Sequence, residues 1–176
     1  KIEHSSKMLS LANAFNLDET YAFFEKAAKD LSTNLELLEL FSEPKLDGLA
    51  ISIHYKNGLL SYAATRGDGQ IGEDVTHTIK TIKSIPIKLV TTNPPEKLDV
   101  RGEVFMPKSS FIKLNQQALK DNSKIFVNPR NAAAGSIRQM NPTIAAKRDL
   151  QFIPYSIGEY VGELKFTYHA EIINFL

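Results

Sequence analysis

Leu49-Ala50-Ile51-Ser52-Ile53-His54-Tyr55-Lys56-Asn57-Gly58-Leu59-Leu60-Ser61-Tyr62-Ala63-Ala64-Thr65 is the stretch on which the fold turns. Two apolar runs rich in β-favouring residues flank Asn57-Gly58, a pair that accepts the left-handed backbone of a tight hairpin turn. The pattern predicts a strand from Leu49 to Tyr55, a turn, and a second strand from Leu59 to Thr65. Further strands are expected from Leu98 to Phe105 and from Phe152 to Ile157. Helices are expected from Asp18 to Leu31, where Tyr21, Phe24, Ala28 and Leu31 recur at the helical period with Asn16 or Asp18 as cap, and from Glu73 to Ile82. Others are expected from Pro107 to about Lys120, from Asn131 to Met140, and briefly after Asn141-Pro142. Strands and helices mix without a regular βαβ alternation, which predicts an α+β fold.

Composition narrows the classes. The 176 residues suffice for one domain with its own core, and 43% hydrophobic against 23% charged residues is ordinary for a globular protein. A formal net charge of +1 supplies no global field, so a nucleic-acid partner would be met by a local basic patch. With no cysteine there is no disulfide framework, thiolate metal site or cysteine nucleophile. No apolar run approaches the roughly 20 residues of a membrane span, and no signal peptide is visible, so a cytoplasmic protein is expected. The four histidines lack metal-ligand spacing, and no protein metal site is expected. The chain starts at Lys1 and stops within an apolar-periodic run (Ala170, Ile172, Ile173, Leu176), which predicts a piece of a longer protein.

Gly67-Asp68-Gly69-Gln70-Ile71-Gly72 matches the dinucleotide fingerprint G-x-G-x-x-G letter for letter. The acidic residue expected about 20 positions later is missing, since Thr91-Thr92-Asn93-Pro94-Pro95 stands there. The preceding strand also belongs to a hairpin rather than a parallel βαβ unit. A glycine-rich turn with positive φ is the better reading.

Glu43-Pro44-Lys45-Leu46-Asp47-Gly48 carries more chemistry. In extended backbone Glu43, Lys45 and Asp47 would share one side. A lysine can serve as a nucleophile on phosphorus once its ammonium, with a reference pKa of about 10.4, has lost a proton. Desolvation and nearby cations favour that loss, whereas carboxylates oppose it but can orient the amine. Taken alone, K-x-D-G is better read as a surface lysine in an ion pair worth under about 1 kcal/mol.

The motif does not stand alone. Met8-Leu9-Ser10-Leu11, Asn13-Ala14-Phe15, Lys45-Leu46-Asp47-Gly48, Ala64-Thr65-Arg66-Gly67-Asp68-Gly69 and Gly72-Glu73-Asp74-Val75-Thr76 follow one another. Val100-Arg101-Gly102-Glu103-Val104-Phe105, Asn128-Pro129-Arg130-Asn131-Ala132-Ala133-Ala134-Gly135-Ser136 and Arg138-Gln139 complete the series. In this ordered set the chain resembles, almost end to end, the adenylation domain of bacterial NAD-dependent DNA ligases. One departure is Lys7, where the family usually has proline.

The resemblance implies the nucleotidyltransferase (ATP-grasp-like) fold, with mixed antiparallel sheets and flanking helices, over residues 1–176. It implies that an N-terminal nicotinamide mononucleotide-binding domain and C-terminal OB, zinc-finger, helix-hairpin-helix and BRCT domains lie outside this chain. It further implies that Lys45 attacks NAD to form lysyl-AMP, and that AMP then passes to the 5′-phosphate of a nick in double-stranded DNA, which is sealed with the help of Mg²⁺. By position, Asp47 and Glu103 join Lys45 as catalytic residues. Ser10, Leu11, Glu43, Arg66 and Tyr155 join Lys45 and Glu103 around the nucleotide, and Arg130, Arg138 and Arg148 meet phosphate and DNA. A monomer is expected. Without the family, Arg101 and Glu103 read as an ion pair, Tyr155 as core, and Arg130 and Arg138 as two residues about 80° apart on a continuous helix. Two other functions remain open at this point. One is an ATP- or GTP-dependent lysine nucleotidyltransferase of RNA-ligase or capping type, and the other a non-catalytic DNA-binding module.

Overall fold

The computed structural model describes residues 1–163 and 165–176. In chain order they form β1 (Ile2–Glu3), α1 (Leu17–Asp30), a 3-10 turn (Leu35–Leu37), β2 (Leu49–Lys56), β3 (Leu59–Thr65), β4 (Ile71–Gly72) and α2 (Thr76–Ile79). There follow β5 (Lys97–Phe105), α3 (Lys108–Lys120), α4 (Pro129–Ile137), α5 (Pro142–Ala146), β6 (Gln151–Val161) and α6 (His169–Phe175). Two compact units result, residues 1–8 with 45–176, and residues 9–44.

The smaller unit is built on α1. Asn16 caps it by accepting the Glu19 amide at 2.9 Å, and Glu19 reaches back to the Phe15 amide and the Asn16 side chain, each at 2.8 Å. This reciprocal arrangement satisfies amides that a helix start leaves open.

The larger unit is organised by an antiparallel sheet in the order β3-β2-β5-β6, with β1 and β4 forming a separate antiparallel pair. This is an α+β architecture with mixed helices and antiparallel sheets. The hairpin β2–β3 turns at Asn57 (φ 48°) and Gly58 (φ 79°), the double positive-φ geometry that Asn-Gly favours. Alternation then sorts the two faces. Ile51, Ile53 and Tyr55 of β2 face Leu98, Val100 and Val104 of β5 in a core with Ile79, Ile82, Ala132, Ala133 and Ile137 from the helical side. Ile51 and Ile53 are wholly inaccessible, and burying such a side chain is worth about 1.5–3 kcal/mol.

The opposite face is polar. Asp99, almost fully buried, accepts the Ser52 hydroxyl at 2.5 Å and pairs with Arg101 Nε at 3.1 Å. Because Ser52 spends its single proton on Asp99, His54 Nε2 must donate to Ser52 Oγ at 2.8 Å. The His54 ring also stacks on Tyr62, with centroids 4.2 Å apart. Gly158 is required where β6 passes Asp99, since a Cβ there would lie 2.0 Å from Asp99 Oδ2. Arg101 continues outward, donating to the Ser6 carbonyl and hydroxyl at 2.7 Å and to the Lys7 carbonyl at 3.0 Å. It thus clasps residues 6 and 7, at the position where Lys7 departs from the family pattern.

Burial, the largest influence, holds the His54 imidazole below its ordinary value of 6.5, while Asp99 and Glu159 push it up and His4 and Arg101 push it down. The unfolded chain therefore takes up this proton first as pH falls through about 6.5, and folding stability drops from there until folded His54 itself titrates. His54→Gln should flatten the stability curve between about pH 6.5 and the lower value reached by folded His54. Urea midpoints across that range check it, and a variant as pH-sensitive as the parent would remove His54 from the account.

Several boundaries differ from the sequence expectation for local reasons. The helix expected from Glu73 is confined to Thr76–Ile79, because Asp74 bridges to Ala64 and its carboxylate accepts the Thr76 amide and hydroxyl. The helix expected from Asn131 starts at Pro129, capped by Asn128, and ends at Ile137. The last strand extends to Val161. Gly67 (φ 58°) and Gly69 (φ 96°) form the positive-φ turn anticipated in place of a dinucleotide loop.

Candidate functional site

Lys45 and Asp47 are both exposed and immediately precede β2 rather than lying within a strand. Their spacing is therefore set by the turn into the sheet, and not by the strand alternation the sequence suggested. That turn is fixed at Gly48, whose amide donates to Glu103 Oε1 at 3.0 Å. Only glycine fits there, because a Cβ would stand 2.1 Å from the Val104 carbonyl oxygen. The K-x-D-G glycine is thus the residue that lets the Lys45 segment press against β5.

Glu103 is the electrostatic centre of the site. It sits half-buried on the polar face of β5, opposite Ala50 of β2 and Ile153 of β6. Burial pushes its carboxyl above the ordinary range, and the Gly48 amide, Lys45, Arg130 and Arg66 pull it back. Cations from three separate segments thus lie near enough to influence this carboxylate, although its hydrogen bond is to the Gly48 amide. Arg66 directly follows β3 and is tied to the sheet by its amide, which donates to the Ala50 carbonyl at 3.1 Å.

Tyr155 occupies a β-bulge. Arg101 pairs with Ser156 and Gly102 with Pro154, so Tyr155 is the extra residue. It is half-buried, lies outside the apolar core, and its phenol is raised first by burial and then by Glu103. A bulge is a common device for re-aiming a side chain beside a site.

Arg130 lies in the first turn of α4 and Arg138 is its C-cap, so the segment between them is the continuous helix that the sequence spacing assumed. Arg130 pairs with Asp47 at 3.2 Å and Arg138 with Glu73 at 3.0 Å, all four side chains being more than half exposed. Such pairs contribute under about 1 kcal/mol, so a phosphate can exchange for either carboxylate at little cost. Arg148 lies between α5 and β6, half-buried, with its guanidinium 5.8 Å from the Phe126 ring centre. Ser10, Leu11 and Glu43 belong to the unit of residues 9–44.

The structure thus gathers Lys45, Asp47, Arg66, Glu103, Arg130 and Tyr155 around the start of β2. The ion pair imagined between Arg101 and Glu103 does not form, since Arg101 turns to Asp99 and Glu103 to Gly48. Sequence reasoning misses the Ser52–His54–Asp99 network beneath. Its signal is present in Leu98-Asp99-Val100-Arg101, where polar residues alternate with apolar ones along a strand.

No group of three or more metal-ligating side chains occurs among the described residues. Mg²⁺ bound with phosphates generally takes only one or two carboxylates. Glu103 fits that role, because one of its oxygens holds Gly48 while the other makes no hydrogen bond among the described residues.

Comparison with known proteins identifies the family. The family model described as NAD-dependent DNA ligase adenylation domain matches residues 1–176. A DNA ligase of Saccharophagus degradans is 53% identical over 172 residues, covering 97% of this chain and 25% of that protein. DNA ligases of Dichelobacter nodosus (48% identical, 96% of this chain, 25% of the relative) and Legionella pneumophila (47%, 99% and 26%) are similar in the same way. The chain therefore spans about a quarter of the length of these relatives. A family match over every residue, with the K-x-D-G glycine bonded to Glu103 on the central strand β5 of an antiparallel sheet, means that this chain belongs to the NAD-dependent DNA ligase adenylation domain family.

Proposed function

We propose that Lys45 is the nucleophile of an adenylate transfer that starts from NAD and ends in a sealed DNA nick. The carrying observation is that Gly48 of the Lys45 motif donates to the half-buried Glu103 carboxylate at 3.0 Å while Asp47 of the same motif pairs with Arg130 at 3.2 Å, which sets Lys45 in one cluster with an acid and a guanidinium. Lys45 Nζ forms a bond to the α-phosphorus of NAD while the pyrophosphate P–O bond breaks, its electron pair leaving with nicotinamide mononucleotide. The Nζ proton passes to a base, and Glu103, raised by burial, is placed to accept or relay it. Arg66 and Arg130 face the negative charge that develops on the phosphoryl oxygens, where planar guanidinium donors act well. Bound Mg²⁺ would add charge neutralisation on the phosphates.

The other assignments complete this reading. Asp47 and Arg66 flank the ribose, Tyr155 stacks on adenine, and Ser10, Leu11 and Glu43 line the nucleotide pocket. Arg130, Arg138 and Arg148 meet phosphate oxygens of the nick and its flanks. AMP moves from Lys45 to the 5′-phosphate, and the 3′-hydroxyl then displaces it. The fold is the nucleotidyltransferase fold of DNA ligases, with residues 1–176 as the adenylation domain of a longer, monomeric, cytoplasmic bacterial enzyme. Among the described residues no helix is long and apolar enough to cross a membrane.

The decisive experiment incubates the full-length protein separately with labelled NAD, ATP and GTP and maps the adduct by mass spectrometry. AMP on Lys45 from NAD alone is expected. An adduct from ATP or GTP instead would place the chain with the RNA-ligase and capping type, and no adduct with any donor would leave a DNA-binding module. Arg130→Ala and Arg138→Ala should each slow sealing more than adduct formation, and each should reduce the salt slope of DNA binding by about 0.9. An unaltered slope would argue against phosphate binding by that arginine.

A further inference from the structure

The segment that ends at Met8 is fastened along its length to the larger unit. Ile2 and Glu3 pair with Gly72 and Ile71 of β4, the His4 amide donates to the Gln70 carbonyl at 2.8 Å, and the Met8 amide donates to the Gly69 carbonyl at 2.9 Å. Between them Arg101 holds the Ser6 and Lys7 carbonyls. Within this strap the His4 side chain turns inward and is buried. Its Nε2 lies 3.1 Å from the Thr65 carbonyl oxygen and 3.2 Å from that of Arg66. Carbonyl oxygens only accept, so Nε2 carries the ring proton and donates to both. Nδ1 is then an acceptor, and among the described residues it meets no donor. The imidazole thus holds the chain through one nitrogen alone.

The two carbonyls mark the place where the chain leaves the sheet. Thr65 ends β3, paired with Ile51 of β2, and Arg66 opens the turn that runs through Gly67 and Gly69. From the sheet the Ala50 carbonyl accepts the Arg66 amide, and from the turn the Gly69 amide donates to the Arg66 carbonyl at 3.0 Å. His4 supplies the third hold on this residue. Glycine at 72 leaves room for it, since a Cβ there would collide with the Thr65 carbonyl oxygen and stand 3.1 Å from His4 Nε2. The Arg66 side chain itself is exposed and makes no hydrogen bond or ion pair among the described residues. The direction in which it leaves the chain is therefore set by these backbone holds.

We infer that His4 is a positioning residue for adenylate transfer, its Nε2–H bridging the Thr65 and Arg66 carbonyls so that the Arg66 guanidinium meets the nucleotide from a fixed direction. The inference rests on the reading of Arg66 as a nucleotide-binding residue of the Lys45 reaction. His4 touches neither the nucleotide nor Lys45 and acts through Arg66. The strap makes the hold rigid, because the donor arrives already anchored at its own amide and, two residues on, by Arg101.

The test follows AMP loading of the full-length protein by intact mass over a range of NAD concentrations, with thermal melting to verify the fold. His4→Ala, His4→Gln, Arg66→Ala and the double variant His4→Ala/Arg66→Ala are compared with the parent. His4→Ala should load at least about tenfold more slowly, since a misplacement of about 1 Å can cost on the order of 100-fold. The change should fall in the same parameter that Arg66→Ala alters, either the saturated rate or the half-saturating NAD concentration. His4→Gln keeps a donor at similar reach and should load close to the parent rate. In the double variant His4→Ala should add little to the loss from Arg66→Ala, because residues that act through one another do not add. Parent-like loading by folded His4→Ala, a full His4→Ala loss on top of Arg66→Ala, or His4→Gln as slow as alanine would each overturn the inference. If His4→Ala does not fold, nitrogen NMR of the histidine-labelled parent decides, the Nε2–H tautomer of His4 being expected and the Nδ1–H tautomer ruling the bridge out. Arg66→Ala at the parent rate would remove Arg66 from the reaction and His4 with it, whereas a parent that loads no AMP would refute the adenylation reading itself.

Discussion

Lys45→Ala in the full-length protein is expected to abolish both the AMP adduct and nick sealing while leaving folding stability within about 0.5 kcal/mol of the parent. The two halves of that expectation come from different observations. Lys45 is exposed and outside any strand, so its removal creates no cavity and leaves no buried group unpaired. It is also the one residue of the site assigned to form a bond to phosphorus, and nothing adjacent replaces that atom. Asp47 is a carboxylate, and the neighbouring cations Arg66 and Arg130 carry guanidinium groups that stay protonated and are poor nucleophiles. Lys45→Arg should therefore fail as completely as alanine, although it preserves the charge facing Glu103. Intact mass after NAD, gel-resolved sealing and a urea melt measure the three quantities. Sealing by Lys45→Arg at near the parent rate would mean that the position supplies charge, and that the nucleophile lies elsewhere.

The second large effect is on folding. Asp99→Ala should destabilise the larger unit by about 3–5 kcal/mol, because it removes the carboxylate paired with Arg101 and leaves the Ser52 hydroxyl and Arg101 Nε without their acceptor in a buried setting. Urea unfolding should show the midpoint falling with little change in slope. The loss should spread to the clasp on Ser6 and Lys7, since Asp99 fixes the orientation from which Arg101 reaches them. Asp99→Asn keeps the shape and one acceptor oxygen and should cost less. Equal stability of Asp99→Ala and the parent would show that Arg101 finds water or another acceptor, and the network would then be dispensable.

Parts of this architecture are legible without any coordinates. The hairpin at Asn57-Gly58 is readable because two residues that tolerate positive φ sit between two β-favouring runs, all of it local information. The caps at Asn16 and Asn141 are readable for the same reason, each accepting a backbone amide two or three residues ahead. Boundaries drift where a distant partner intervenes. The Asp74 bridge to Ala64 shortens α2, and pairing with β5 lengthens β6. Neither partner lies within the window that periodicity surveys.

The chemistry on offer and the family are both written in the order of the residues. Lys45 within K-x-D-G, the arginines and the ordered motifs are covalent facts, and their spacing along the chain survives any folding. The α+β class is legible there as well, because strand and helix periods are properties of neighbouring residues. Which charges meet is settled by folding alone. Glu103 binds the Gly48 amide rather than Arg101, and Asp99 takes Arg101 into the buried network, because sheet register and the close passage of Gly158 of β6 against Asp99 set those distances. Likewise nothing in the sequence marks His4, which comes to hold the Arg66 backbone only when β1 pairs with β4 and carries residue 4 past the end of β3. Electrostatic energy depends on separation and burial, and both are set by residues far apart in the chain.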